Sequence, residues 1–134
     1  MSDKPIVRYT LGREERLKSR KKISALFAAG KVIPLPPFRL LYQIHPELPA
    51  LQMGVTVSTR NFKKAVDRNR IKRLVREAYR LQKKELKNSL EQQQRGLSLF
   101  IIYTGKSLPD YALVFEKTGK LLDALMKKTN EIPH

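Results

Sequence analysis

The chain has no cysteine, which excludes disulfides, thiolate-held zinc and cysteine nucleophiles together and suits a reducing cytoplasm. It has two histidines. His45 stands before a proline in a turn and His134 is the last residue, so neither offers a ready general base. Acidic residues are scarce, twelve in 134. Most stand singly inside basic runs, as charge partners (Glu77, Glu85) or helix-start residues (Asp67, Asp110), and the adjacent Glu14 and Glu15 point to different sides of a helix. A nuclease carrying its own chemistry needs a general base or a carboxylate cluster that holds metal, and this chain has neither in recognisable form. A glycine-rich phosphate loop is also lacking, as is any Ser-His-Asp or Cys-His arrangement. No run reaches the roughly eighteen apolar residues of a membrane span, the longest candidates being 97–103 and the proline-broken 32–38. The beginning, "MSDKPIVRYT", has no signal-peptide core. These absences point to a soluble, cytoplasmic chain of one domain over 1–134, with an ordered core at about 13–128, that binds no membrane and no small-molecule substrate.

What the sequence has in excess is positive charge. Twenty-eight Lys and Arg give a net charge of +16, a field that draws polyanions, nucleic acid before all others. The charge is concentrated: residues 13–31 hold seven basic and two acidic residues (+5), and residues 60–87 hold twelve basic and three acidic (+9). Together these two stretches carry +14 of the total.

Periodicity predicts the elements around this charge. "REERLKSRKKISALFAAGK" places Leu17, Ile23, Leu26 and Phe27 in helical rhythm and closes on Gly30, predicting a helix over about 13–29. "VIPLPP" has too many prolines for a helix or a central strand and reads as a stiff connector. Phe38, Leu40, Tyr42 and Ile44 alternate with other residues, as do Leu51, Met53, Val55 and Val57, so two strands are expected, paired antiparallel across "HPELPA". A helix from about Asp67 to Asn88 follows, with Asp67 capping its start and "EQQQRG" ending it. "LSLFIIYT" is apolar enough for a strand covered on both sides. Ser107, Pro109 and Asp110 then announce a last helix, about 108–128, in which Gly119 is a weak point. The result is an α+β domain, a small mixed sheet with three helices in the order helix, strands, helix, strand, helix.

The most informative segment is "RNRIKRLVREAYR", residues 68–80, with five arginines and one lysine and no acidic residue before Glu77. At 100° per residue, Ile71, Leu74, Ala78 and Leu81 fall within about 80° of one another, while Arg68, Lys72, Arg73, Arg76, Arg80 and Lys83 fan over the opposite side. A helix face meant only for water mixes Lys with Glu for i,i+4 pairing. Here like charges repel by a few tenths of a kcal/mol per pair, which a bound polyanion would relieve. Arginine's planar fork suits bidentate phosphate contact. Six such contacts would make log affinity fall against log salt with a slope of roughly −4 to −5.

"VTVSTRNFKKAVDRNRIKRLVREAYR", residues 55–80, resembles the signature of the bacterial ribonuclease P protein component: a strand ending in Val-Ser, a basic loop, an Ala-Val pair, then Arg-Asn-Arg with Lys-Arg and Arg-Glu at helical spacing. "RLKSRKKISALFAAGK" resembles the family's first helix, and "LSLFIIYT" with the last helix fits its final strand and helix. The resemblance implies a ribosomal protein S5 domain 2-like fold with a left-handed βαβ crossover, against the usual hand. It also implies a job: a catalytic RNA hydrolyses precursor tRNA with Mg²⁺, bound mainly by RNA and substrate, to remove the 5′ leader, and the small basic protein assists. On that likeness Arg68, Asn69, Arg70, Lys72, Arg73, Arg76 and Arg80 face the catalytic RNA. Phe27, Phe38, Tyr42 and Arg60 line a cleft for the single-stranded leader, where aromatic faces and cations suit a strand of variable sequence. Three positions depart from the family pattern: Ile23 where the first helix usually has an aromatic, and in the basic loop Thr59 in place of a Lys and Phe62 where Gly is often found. A structural RNA-binding protein of ribosomal type is the alternative reading, with the same charge but no part in cleavage.

Overall fold

The computed structural model describes residues 17, 20–45 and 51–131. Its elements are α1 (Arg20–Ala29), β1 (Lys31–Leu35), β2 (Phe38–His45), β3 (Leu51–Val57), α2 (Ala65–Gln82), α3 (Lys84–Gln93), β4 (Gly96–Tyr103) and α4 (Tyr111–Glu131). This is the expected α+β order with one strand and one helix more than expected.

The extra strand comes from the proline-rich connector. β1 pairs antiparallel with β2, Ile33 opposite Leu40, and lies at the edge of a sheet ordered β1-β2-β4-β3. Pro34 is tolerated because an edge strand leaves one side without ladder bonds, and Pro36 and Pro37, joined by a cis peptide, form the turn into β2. The expected hairpin between β2 and β3 does not form. β4 lies between them, antiparallel to β2 and parallel to β3. The physical reason is that β4 is the most apolar strand, almost wholly buried, and the centre of a sheet covered on both faces is where such a strand is most stable. β3, α2, α3 and β4 therefore form a parallel βαβ unit.

Strand parity divides the apolar residues between two layers. Phe38, Leu40 and Tyr42 of β2, Met53, Val55 and Val57 of β3, and Leu97, Leu99, Ile101 and Tyr103 of β4 face one way. They meet Ile71, Val75, Ala78 and Tyr79 of α2, Leu86 and Leu90 of α3, and Val114, Leu121 and Leu125 of α4. On the other face a smaller cluster joins Leu41 and Phe100 to Leu26 of α1 and to Leu17, with Ile23 and Ile102 partly buried against it. Leu17 is not helical. Its N–H donates to the Met53 carbonyl at 2.8 Å along β3, so the first helix begins later than its rhythm suggested, at Arg20; residues 13–16, 18 and 19 of the expected helix lie outside the described residues.

The helix expected to run to about Asn88 is two helices, broken at Lys83. Lys83 itself keeps right-handed helical dihedrals, so α3 follows α2 after one residue. Asp67 does not cap α2: the cap position is Lys64, with no side-chain bond, and Asp67 sits in the first turn. There its charge still favours the helix dipole. Asp110 does cap α4, accepting from the Leu113 N–H at 2.8 Å. Gly119 earns its place by proximity, since a Cβ there would stand 2.6 Å from Gln82 Oε1. The Gln82 amide in turn donates to the Phe115 carbonyl at 3.0 Å and ties α2 to α4.

Candidate nucleic-acid interface

Alanine, leucine and arginine are strong helix formers, and no glycine or proline interrupts residues 65–82, so α2 forms a continuous rod. Its buried residues are Ile71, Val75, Ala78 and Tyr79. With Ile71 at zero these lie at about 0°, 40°, 340° and 80°. The docking face is thus rotated from the expected one toward Val75 and Tyr79, leaving Leu74 partly buried and Leu81 exposed. The cause is size: Tyr79 is the largest fully buried side chain, and a polar hydroxyl does not stop so large a ring from setting the orientation.

That rotation sorts the basic residues. Asn69, Arg70, Arg73 and Arg76 are exposed, on the arc between about 140° and 260°. Among the described residues Arg70, Lys72 and Arg73 have no ion pair or hydrogen bond, which leaves their donors to water or a ligand. Arg80 is half-buried and paired with Glu77, Nε to Oε1 at 3.0 Å. Arg68, at about 60°, falls inside the docking arc between Val75 and Tyr79. Its Nη1 donates to the carbonyls of Phe62 and Lys63, both at 2.8 Å.

Those carbonyls belong to the loop 58–64 that joins β3 to α2. Asn61 Nδ2 donates to the carbonyls of Gly105 at 3.2 Å and Thr104 at 3.4 Å, and the Phe62 N–H donates to the Ser58 carbonyl at 3.1 Å. Phe62 is buried, its ring 6.0 Å from that of Tyr103. The departure from Gly at this position is therefore an anchor in the core. Arg60, Lys63 and Lys64 remain exposed. Burial pushes the Tyr103 hydroxyl up from its ordinary pKa of 10.0, and that hydroxyl donates to the Ser107 carbonyl at 2.6 Å.

The open face of the sheet presents three cross-strand rows: Gln43, Ser98 and Gln52; Leu41, Phe100 and Gly54; Arg39, Ile102 and Thr56. α1 covers the middle row. Gly54 is required there because Phe100 lies across it, a Cβ meeting the ring at 2.5 Å. Phe27 is 52% exposed and sits edge-on to Phe100, ring centres 5.4 Å apart. The third row carries exposed Arg39 and reaches Thr56, near the end of β3 from which Arg60 follows. Phe38 and Tyr42 do not join it. Both have the opposite strand parity and are buried at 2% and 4% in the main core, so of the four expected cleft residues only Phe27 and Arg60 are open to a ligand.

The family model for ribonuclease P matches residues 11–128. The chain belongs to the ribonuclease P protein family. It is similar to the ribonuclease P protein component of Porphyromonas gingivalis, 38% identical over 116 residues that cover 85% of each chain. That of Chlorobium phaeobacteroides is 33% identical over 125 residues, 84% of this chain and 86% of that one. Among solved structures, the ribonuclease P protein of Thermotoga maritima matches with a TM-score of 0.63 and 26% identity, over 82% of this chain and 96% of that one. The Staphylococcus aureus protein matches with a TM-score of 0.65 at 17% identity, a likeness of fold.

Within this family fold, Arg39, Asn61, Lys63, Lys64 and Phe100 were not singled out by sequence reasoning. Arg39 and Phe100 could have been found from parity, once the partner strands were known; the loop lysines carried a visible signal, the charge run itself. Among the described residues no three His, Cys, Asp or Glu side chains gather where they could hold a metal ion; Asp110 serves as a helix cap, and Glu77 and Glu116 pair with Arg80 and Lys120. No helix among them is long and apolar enough to cross a membrane.

Proposed function

We propose that this chain is the protein subunit of a ribonuclease P holoenzyme, an RNA-binding subunit that aids endonucleolytic removal of the 5′ leader from precursor tRNA. The observation that carries this reading is the outward arc of α2, where Arg70 and Arg73 have no acidic partner among the described residues. Cations held on a rigid rod match the spacing of a phosphate backbone without prior ordering. In this reading Asn69, Arg70, Lys72, Arg73 and Arg76 contact the catalytic RNA, and Arg80 joins them through a guanidinium shared with Glu77. Phe27 and Arg60, with Arg39 beside them on the sheet, receive the single-stranded leader by stacking and charge. In this reading the reactive centre and Mg²⁺ belong to the catalytic RNA and the substrate. The protein's share is to screen two polyanions from one another and to hold the leader, in the cytoplasm where tRNA is made.

The test is reconstitution. Purified protein, the host's catalytic RNA and precursor tRNA are mixed at low Mg²⁺, where repulsion between the RNAs is greatest, and 5′-end maturation is followed. The expected result is stimulation over RNA alone. Absence of stimulation would favour a structural RNA-binding protein of ribosomal type.

A further inference from the structure

We propose that Arg68 is a positioning residue, which clamps the loop 58–64 so that Lys63 and Lys64 meet the phosphates of the catalytic RNA, and which does not contact those phosphates itself. The inference rests on the functional reading above and divides the labour within it. Three observations carry it. Arg68 is half-buried, at an angle on α2 between those of Val75 and Tyr79, whereas Asn69, Arg70 and Arg73 are exposed. One of its nitrogens is spent on two backbone carbonyls, those of Phe62 and Lys63, at 2.8 Å each. Those carbonyls belong to a loop that is pinned at two further points, by the Asn61 amide on the Thr104 and Gly105 carbonyls and by the buried ring of Phe62.

A loop of seven residues carrying three exposed cations would otherwise spread under its own repulsion and would have to be ordered at the moment of binding. Carbonyl oxygens turned onto a guanidinium fix the backbone on either side of Lys63, the central cation. Arg60 and Lys63 flank Asn61 and Phe62, the two residues that anchor the loop to the β4–α4 connection and the core. Lys63 and Lys64 are thereby placed at the N-terminal end of α2, continuous with Arg70 and Arg73.

The prediction is one of coupling. Affinity for the host's catalytic RNA is measured for the wild-type chain, for Arg68→Ala, for Lys63→Ala/Lys64→Ala, and for the variant with all three changes. Circular dichroism is recorded for each. A positioning role predicts that Arg68→Ala lowers affinity about tenfold alone and less than about twofold once the two loop lysines are gone. Asn61→Ala, which removes no charge, follows the same pattern in the two backgrounds, and stands in for Arg68→Ala if that variant does not fold. An equal loss from Arg68→Ala in both backgrounds would show direct contact with RNA and overturn the proposal, as would no loss in either. A wild-type chain that did not bind the RNA would instead remove the functional reading itself.

Discussion

Three aromatic residues show how much one residue's register decides. Phe27, Phe38 and Tyr42 look alike in sequence as candidates for stacking on a strand of RNA. Phe38 and Tyr42 share parity with Leu40 and are buried beneath the helices, while Phe27 stands 52% exposed on the other side of the sheet. Phe38→Ala is therefore expected to cost about 3–5 kcal/mol of stability in denaturant unfolding. Phe27→Ala, which loses one edge-on ring contact, should cost about 1 kcal/mol and instead weaken binding of a single-stranded leader oligonucleotide by roughly 1–3 kcal/mol. The alternation of the strands was legible from the sequence. Which parity the helices would cover was not, because both sides of β2 and β4 carry apolar residues and only the docking of α1 against α2–α4 distinguishes them. Tyr103 makes a second prediction at this scale. Its hydroxyl is buried and its pKa lies above 10.0, so the unfolded chain loses that proton first as the solution is made alkaline. Stability should be insensitive to this group below about pH 10 and fall above it, until the folded value is reached. In thermal unfolding across pH 9–11, Tyr103→Phe should show the shallower decline.

At the scale of the element, α2 was the most readable part of the chain and was still misjudged by the angle of its docking face. Its aliphatic residues set an axis that the ring of Tyr79 turns, and no apolar count anticipates this, because tyrosine reads as polar or apolar according to its surroundings. The turn has an electrostatic consequence. Of the seven residues expected to face RNA, Arg68 is committed to loop carbonyls and Arg80 to Glu77. With Arg70, Arg73 and Arg76 as the cations of the outward arc and half-buried Lys72 at its edge, the helix should contribute a slope of about −3 to −4 in log affinity against log salt, shallower than six contacts would give. Arg70→Ala and Arg73→Ala should each flatten the measured slope by about one unit and leave the circular dichroism spectrum unchanged. The strand pairing was beyond reach for a different reason. Insertion of β4 between β2 and β3 joins residues some fifty positions apart, as in Met53 opposite Leu99, and local pattern contains nothing about such partners. Prolines told the truth about β1 only in part: they excluded the middle of a sheet, and an edge remained open to them.

For the whole molecule the question is how one small domain with a charge of +16 serves two polyanions without making them compete. The layering supplies an answer. α2 packs on one face of the sheet and its basic arc points away from that face, whereas Phe27 and the row Arg39, Ile102 and Thr56 lie on the other. A sheet and a helix layer separate the two surfaces, on the order of 20 Å, more than twice the screening length of about 8 Å at physiological salt. Phosphates on one surface are thus nearly invisible to phosphates on the other, while each feels the cations beneath it. If the proposed assignment of the two surfaces holds, a leader oligonucleotide should bind the protein already saturated with catalytic RNA within about threefold of its affinity for the free protein, measured by fluorescence anisotropy at physiological salt. Arg70→Ala/Arg73→Ala should weaken catalytic RNA and leave the oligonucleotide unaffected, and Phe27→Ala should do the reverse. At low salt the screening length grows to about 30 Å at 0.01 M and spans the domain, so the two ligands should then oppose one another's binding, and that opposition should vanish again as salt is restored.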